Sequence, residues 1–188
     1  YPHTEYTERD QIVGFLGRLD EEKGVRELAN VAQQLPRDTK FVFAGDGDLH
    51  EWLETELANE VDTGSVEMMG WVDREEVPAV LSRFKLLVLP SQPTEGLPTV
   101  ILEAFACGTP VYATPVSGVP DVIRDKETGF IMGNVDTEII IEEITNIFIR
   151  DYLSQISETS RQLIEDQYSF DAAVGRYRKI LNDIQDNE

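Results

Sequence analysis

The 188 residues are 41% apolar, enough for the core of one domain of ordinary size. Against 16 bases stand 36 acids, a formal net charge of −20. Such a field repels nucleic acid and anionic membrane surfaces, so nucleic acid is not expected as a partner and an anionic membrane surface is disfavoured.

The same field repels small anions, so arginines and lysines that lie close together carry information. Lysine is confined to Lys23, Lys40, Lys85, Lys126 and Lys179. An acid-rich, lysine-poor surface suits concentrated salt, and a halophilic source is expected. Cys107 is the only cysteine, which argues against a disulfide framework and for a reducing cytoplasm, including its membrane face. Lying in an apolar run before Gly108, it reads as a small core residue. No apolar run approaches the ~20 residues of a membrane span. The chain begins at Tyr1 without a visible signal peptide, as a piece of a longer protein would.

Residues 1–10 are polar and aperiodic and read as a tail or linker. One domain is expected over 11–188. IVGFLG (Ile12–Gly17) is a short apolar run ending in glycine, a buried strand. A helix follows, with Val25, Leu28, Val31, Ala32 and Leu35 on one face and Pro36 as its stop. KFVFAG (Lys40–Gly45) is a second strand, and LHEWLETELANEV (Leu49–Val61) a second helix. VEMMGWV (Val66–Val72) is a third strand, followed by a short helix VPAVLSRF begun near Asp73. KLLVLPS (Lys85–Ser91) is a fourth strand, and TVILEAFACG a helix closed by Gly108. PVYATP (Pro110–Pro115) is a fifth strand and TGFIMG (Thr128–Gly133) a sixth. From about residue 136 the pattern is helical only.

Strands apolar on both faces, alternating with amphipathic helices, imply a parallel sheet covered on both sides. This is a doubly wound, Rossmann-like α/β fold, which binds ligands at the carboxyl ends of its strands. After the first strand, GRLDEEKG puts Arg18 and Lys23 around a loop leading to a helix N-terminus. That is an anion site or two solvated bases. After the second, Gly45 and Gly47 of GDGD permit close backbone approach. Asp46 and Asp48 read as a tight turn with exposed acids rather than as metal ligands. The third glycine of a dinucleotide fingerprint is missing, and GRLDEEKG is no Walker loop. Only two histidines occur, His3 in the tail and His50 facing solvent, so no histidine metal site or Ser-His-Asp triad is expected. After the third strand, Trp71 serves equally as a wall for a flat ring or as core.

After the fourth strand comes EGLPTVILEAFACGTPV (Glu95–Val111). Pro98 suits a first helical turn, and Gly96 and Leu97 present N–H groups to an anion. Glu103 lies inside an apolar helix, where an unpartnered charge costs several kcal/mol. It needs a basic side chain, a backbone cap or the hydroxyls of a ligand.

GRLDEEKG, AGDGDL, GWV and above all the E-x7-E element Glu95–Glu103 resemble the glycosyltransferase group 1 family, retaining enzymes of the GT-B fold. The resemblance runs from about Ile12 to Ile184. It implies the C-terminal, donor-binding half of such an enzyme. On that resemblance the N-terminal acceptor domain is expected to lie outside these residues, and the chain alone is expected to be inactive. It implies that Arg18 and Lys23 bind the diphosphate of a nucleotide-sugar donor and act in catalysis. Glu95, also catalytic, would lie against the sugar, and Glu103 would take the ribose hydroxyls. Backbone N–H groups around Gly96, Leu97, Pro98 and Thr99 would serve phosphate and sugar. The base would sit near Gly70, Trp71 and Val72, over a floor of Gly17, Gly45 and Gly47. No metal and no cofactor beyond the donor is implied. The other readings are half of a GT-B sugar-nucleotide epimerase and a non-catalytic α/β interaction module.

Overall fold

The computed structural model describes residues 5–92 and 96–185. Its six strands are β1 (Ile12–Leu16), β2 (Lys40–Ala44), β3 (Val66–Gly70), β4 (Leu86–Leu89), β5 (Val111–Ala113) and β6 (Phe130–Ile131). They form one parallel sheet in the order β3-β2-β1-β4-β5-β6. Every residue of β1, β4 and β5 is buried, as unbroken apolar runs in a twice-covered parallel sheet must be. Phe15 pairs with Phe43 across β1 and β2, their ring centres 6.3 Å apart. The chain winds outward from β1 through β2 to β3, then crosses back to lay β4 on the other side of β1. The β1/β4 boundary is therefore the point where the winding reverses, the place where such folds open a crevice.

The helices described are α1 (Val25–Gln34), α2 (His50–Glu56), α3 (Ala58–Thr63), α4 (Val77–Arg83), α5 (Thr99–Ala106), α6 (Val119–Val122), α7 (Thr137–Phe148), α8 (Leu153–Leu163) and α9 (Phe170–Gln185). Helix α1 buries Val25, Leu28, Val31 and Ala32, the face expected from their spacing, and packs beside α7. Helix α5 packs against α4 and α8. The Asp136 side chain caps α7, accepting the Glu138 N–H at 3.0 Å. A π-helical turn over Ile164–Tyr168 joins α8 to α9.

Two local expectations change, and one further helix is found. The helix expected over 49–61 is two, α2 and α3, broken at the fully buried Leu57 (φ −104°, ψ 16°). Leu53 and Leu57 are both fully buried, and after the break α3 lies against β3. The helix expected near Asp73 starts at Val77, with Pro78 in its first turn where the missing N–H costs nothing. The short helix α6, again with a proline in its first turn, was not legible in an alternation of Val, Pro and Asp.

Residues 5–10, within the stretch read as a tail, contribute two interior side chains. Tyr6 and Arg9 are 6% and 5% exposed. The Arg9 guanidinium donates to the Phe84 carbonyl at 2.9 Å, the Cys107 carbonyl at 2.7 Å and the Thr109 hydroxyl at 2.7 Å. Cys107 is a core residue, and burial pushes its thiol pKa up, away from nucleophile chemistry.

Candidate functional site

At the carboxyl ends of β1, β2 and β3, beside the start of α5, lies a cleft of about 520 Å³. Five separate segments line it. Leu16, Gly17 and Arg18 come from the end of β1, and Gly45, Asp46 and Gly47 from the end of β2. Trp71 and Val72 follow β3, Val77 opens α4, and Val100 and Glu103 come from α5. A second cavity of about 580 Å³ sits at the opposite, amino ends of the strands, around Arg9, Lys40 and Arg83. There Lys40 and Arg83 are committed to Glu67 at 2.7 and 2.9 Å. The carboxyl-end cleft lies on the ligand-binding side of a doubly wound sheet, as does a further cavity of about 500 Å³ around Pro90, Thr114 and Met132, beyond β4, β5 and β6.

The floor is backbone. Gly17 N–H donates to the Ala44 carbonyl at 3.0 Å, Leu19 N–H to the Asp46 carbonyl at 2.9 Å and Gly45 N–H to the Gly70 carbonyl at 2.7 Å. These bonds draw the loops after β1 and β2 so close that a side chain cannot fit. A Cβ on Gly45, whose φ is +132°, would lie 1.9 Å from the Gly17 carbonyl oxygen. One on Gly47 would lie 2.5 Å from the Leu19 oxygen. The glycines are thus required first by the packing of one loop on the other, and the flat floor results. Asp46 and Asp48 are exposed, and the Asp46 carboxylate accepts the Gly47 N–H at 2.8 Å, as in the tight turn expected.

The walls are apolar: Leu16, Val72, Val77 and Val100. The β2–β3 ladder skips Met69, pairing Phe43 with Met68 and then Ala44 with Gly70. This extra residue bends the strand end and puts Trp71 at the rim, 74% exposed, its indole N–H on the Asp73 carboxylate at 3.1 Å. The choice between wall and core is settled: Trp71 is not core.

Glu103 is half-buried, three residues beyond Val100 on the same side of α5. Among the described residues its carboxylate makes no hydrogen bond and no ion pair. Of the three partners its position called for, neither a basic side chain nor a cap is found there. Among the described residues no side chain caps the N-terminus of α5, whose first N–H groups are left for solvent or an anion.

Arg18 stands at the mouth, its side chain 64% exposed, ion-paired with Asp20 and, at 3.5 Å, with Glu22. Lys23 sits beyond the lining, in the turn that leads into α1, and is half-buried. Burial pushes its ammonium pKa down, and the nearby Asp20 opposes that shift. Gly96, Leu97 and Pro98 form the approach to α5 and Thr99 opens it; none of the four lines the cleft. Glu95 lies outside the described residues. Seven expected residues therefore share one cleft: Gly17, Arg18, Gly45, Gly47, Trp71, Val72 and Glu103. Val77 and Val100 were not anticipated as lining; their signal was an apolar residue in the first turn of a helix that follows a strand.

Residues 10–149 match the family model described as glycosyl transferases group 1. An alpha-D-kanosaminyltransferase of Streptomyces kanamyceticus is 32% identical over 177 residues, covering 90% of this chain and 46% of that protein. HepE of Anabaena, solved in complex with UDP and glucose, superposes with a TM-score of 0.77 at 20% identity, over 93% of this chain and 48% of HepE. The C-terminal domain of a glycosyl transferase group 1 family protein from Francisella tularensis superposes with a TM-score of 0.72 at 23% identity, over 85% of this chain and 86% of that domain. At such identities the two structures speak for the fold, one half of a GT-B architecture. The chain spans about half the length of the curated relatives it matches. It belongs to the glycosyl transferases group 1 family.

Proposed function

We propose that this chain is the donor-binding half of a retaining glycosyltransferase that needs no metal. A nucleoside diphosphate would lie with its base between Trp71 and the Gly45–Gly47 floor, its ribose on Glu103 and its phosphates between Arg18, Lys23 and the start of α5. The observation that carries the reading is Glu103. A half-buried carboxylate in an apolar cleft, without a protein partner among the described residues, is built to accept hydrogen bonds from a ligand's hydroxyls. The UDP held by HepE makes UDP the first nucleotide to try.

The chemistry follows from charge. Departure of a nucleoside diphosphate builds negative charge on its phosphates, and fixed cations and N–H dipoles there stabilise the transition state more than the ground state. Arg18, Lys23 and the α5 N-terminus would supply that field in a molecule whose net charge otherwise opposes it. Glu95 would orient the sugar while the acceptor attacks from the face the diphosphate leaves, through an oxocarbenium-like state. The acceptor side of the cleft would come from a partner domain of the same protein.

Thermal unfolding with UDP, GDP and ADP, each with and without EDTA, tests this. One nucleotide at ~100 times its dissociation constant should add about 2.7 kcal/mol, unchanged by EDTA. Arg18→Ala and Glu103→Ala should each weaken binding about tenfold or more. Two variants that bind like the parent would overturn the site.

A further inference from the structure

One carboxylate, that of Asp20, links the two basic residues of the proposed phosphate loop, through the guanidinium of Arg18 and the backbone N–H of Lys23. Asp20 lies between Arg18 and Lys23 in extended conformation, at the cap of the one-turn helix Glu21–Lys23. Its Oδ1 accepts the Lys23 backbone N–H at 3.0 Å, and its Oδ2 is ion-paired with Arg18 Nε. The turn itself is held from both sides. Gly24 N–H closes it on the Glu21 carbonyl at 3.1 Å. Gln92, beyond β4, donates to it twice, through its backbone N–H to the Glu22 carbonyl at 2.8 Å and through its amide to the Glu21 carbonyl at 3.1 Å.

The two acids on Arg18 differ in setting. The Asp20 side chain is 15% exposed and anchored at both oxygens. Glu22 is 58% exposed and reaches Arg18 Nη2 only at 3.5 Å, the weak geometry of a surface pair. A guanidinium offers five donors, so Nε can be held while the Nη edge stays available to an anion. A long exposed arginine must otherwise give up its rotamer freedom on binding, and an anchor at Nε removes much of that cost beforehand.

We infer that Asp20 is the positioning residue of the phosphate loop, and Glu22 the internal counter-ion that an incoming diphosphate displaces from the Nη edge of Arg18. This rests on the donor-site reading above. It gives the two acids opposite effects. If each were merely a repulsive neighbour of an anionic ligand, removing either charge would tighten binding. With Asp20 as the anchor, removing its charge loosens binding.

The test is calorimetric titration of the full chain with UDP, and with uridine as a control lacking phosphates. Asp20→Asn keeps an oxygen to cap the Lys23 N–H, and Asp20→Ser is a second uncharged capping variant should the first fold poorly. The expected result is UDP binding at least tenfold weaker in both Asp20 variants and two- to fivefold tighter in Glu22→Gln. Uridine binding should be unmoved by any of them. UDP binding in Asp20→Asn equal to or tighter than the parent's overturns the inference and leaves the donor site standing. A parent that UDP, GDP and ADP all fail to bind overturns the donor site and this inference with it.

Discussion

A carboxylate in the middle of an apolar helix is costly unless something solvates it. Around Glu103 the neighbours Ile101, Ala104 and Phe105 are fully buried. The helix is committed to the core on that side and open to the cleft on the other. That a partner was needed could be read from the residues; that no protein group among those described supplies it could not. The buried tyrosines give this scale a pH signature. Burial, with Glu143 and Asp125 nearby, pushes the Tyr112 pKa up to about 12, and burial raises that of Tyr6 in the same direction. The folded state therefore keeps phenol protons that the unfolded chain releases near pH 10. This contribution to stability is complete below pH ~10 and is lost as pH rises toward the folded values, each tyrosine adding a slope of about 1.4 kcal/mol per pH unit. Urea unfolding from pH 8 to 11.5 should show the loss, and Tyr112→Phe should make it shallower. An equally steep loss in that variant would mean Tyr112 ionises in the folded state as readily as outside it.

Elements form here where local pattern and burial agree, and shift where they conflict. The strands and α1, α5 and α7 were legible because their apolar periods match the faces they bury. The break between α2 and α3 was not, because two leucines four apart satisfy a helix pattern whether or not the chain bends after them. Arg9 was illegible for another reason: its three acceptors, Phe84, Cys107 and Thr109, are about 75 to 100 residues away in sequence. One buried guanidinium ties the segment before β1 to the ends of α4 and α5. Arg9→Met would leave those acceptors without a donor, at a cost of about 3 kcal/mol. Equilibrium urea unfolding should report that loss without change of fold; a loss below about 1 kcal/mol would show that water replaces the guanidinium.

Over the whole molecule, charge is the strongest influence. From Phe41 to Asp73 nine acids occur without one lysine or arginine, and Glu51, Glu54, Glu56 and Asp62 are exposed there. Self-repulsion of this kind is screened when the Debye length falls from about 10 Å at 0.1 M salt to about 3 Å at 1 M. Raising KCl across that range should lift the melting temperature by at least about 4 °C, equivalent to about 1 kcal/mol or more for a domain of this size. A flat or falling melting temperature would show that the acids are already neutralised by their local pairs.

The amino-acid sequence by itself determined the fold class, the alternation of strands with helices, and the family, because each rests on local periods and short motifs that need no distant partner. The tertiary structure alone decided which of those motif residues share one cleft and which lie beside it. It decided too that the Gly45 and Gly47 positions are closed to side chains by the backbone of the β1 loop, and that Trp71 stands out at the rim. The physical reason is the same in each case. A parallel sheet brings to one edge the ends of strands that lie tens of residues apart, and contacts made there follow from the crossing of the chain, which no local pattern encodes.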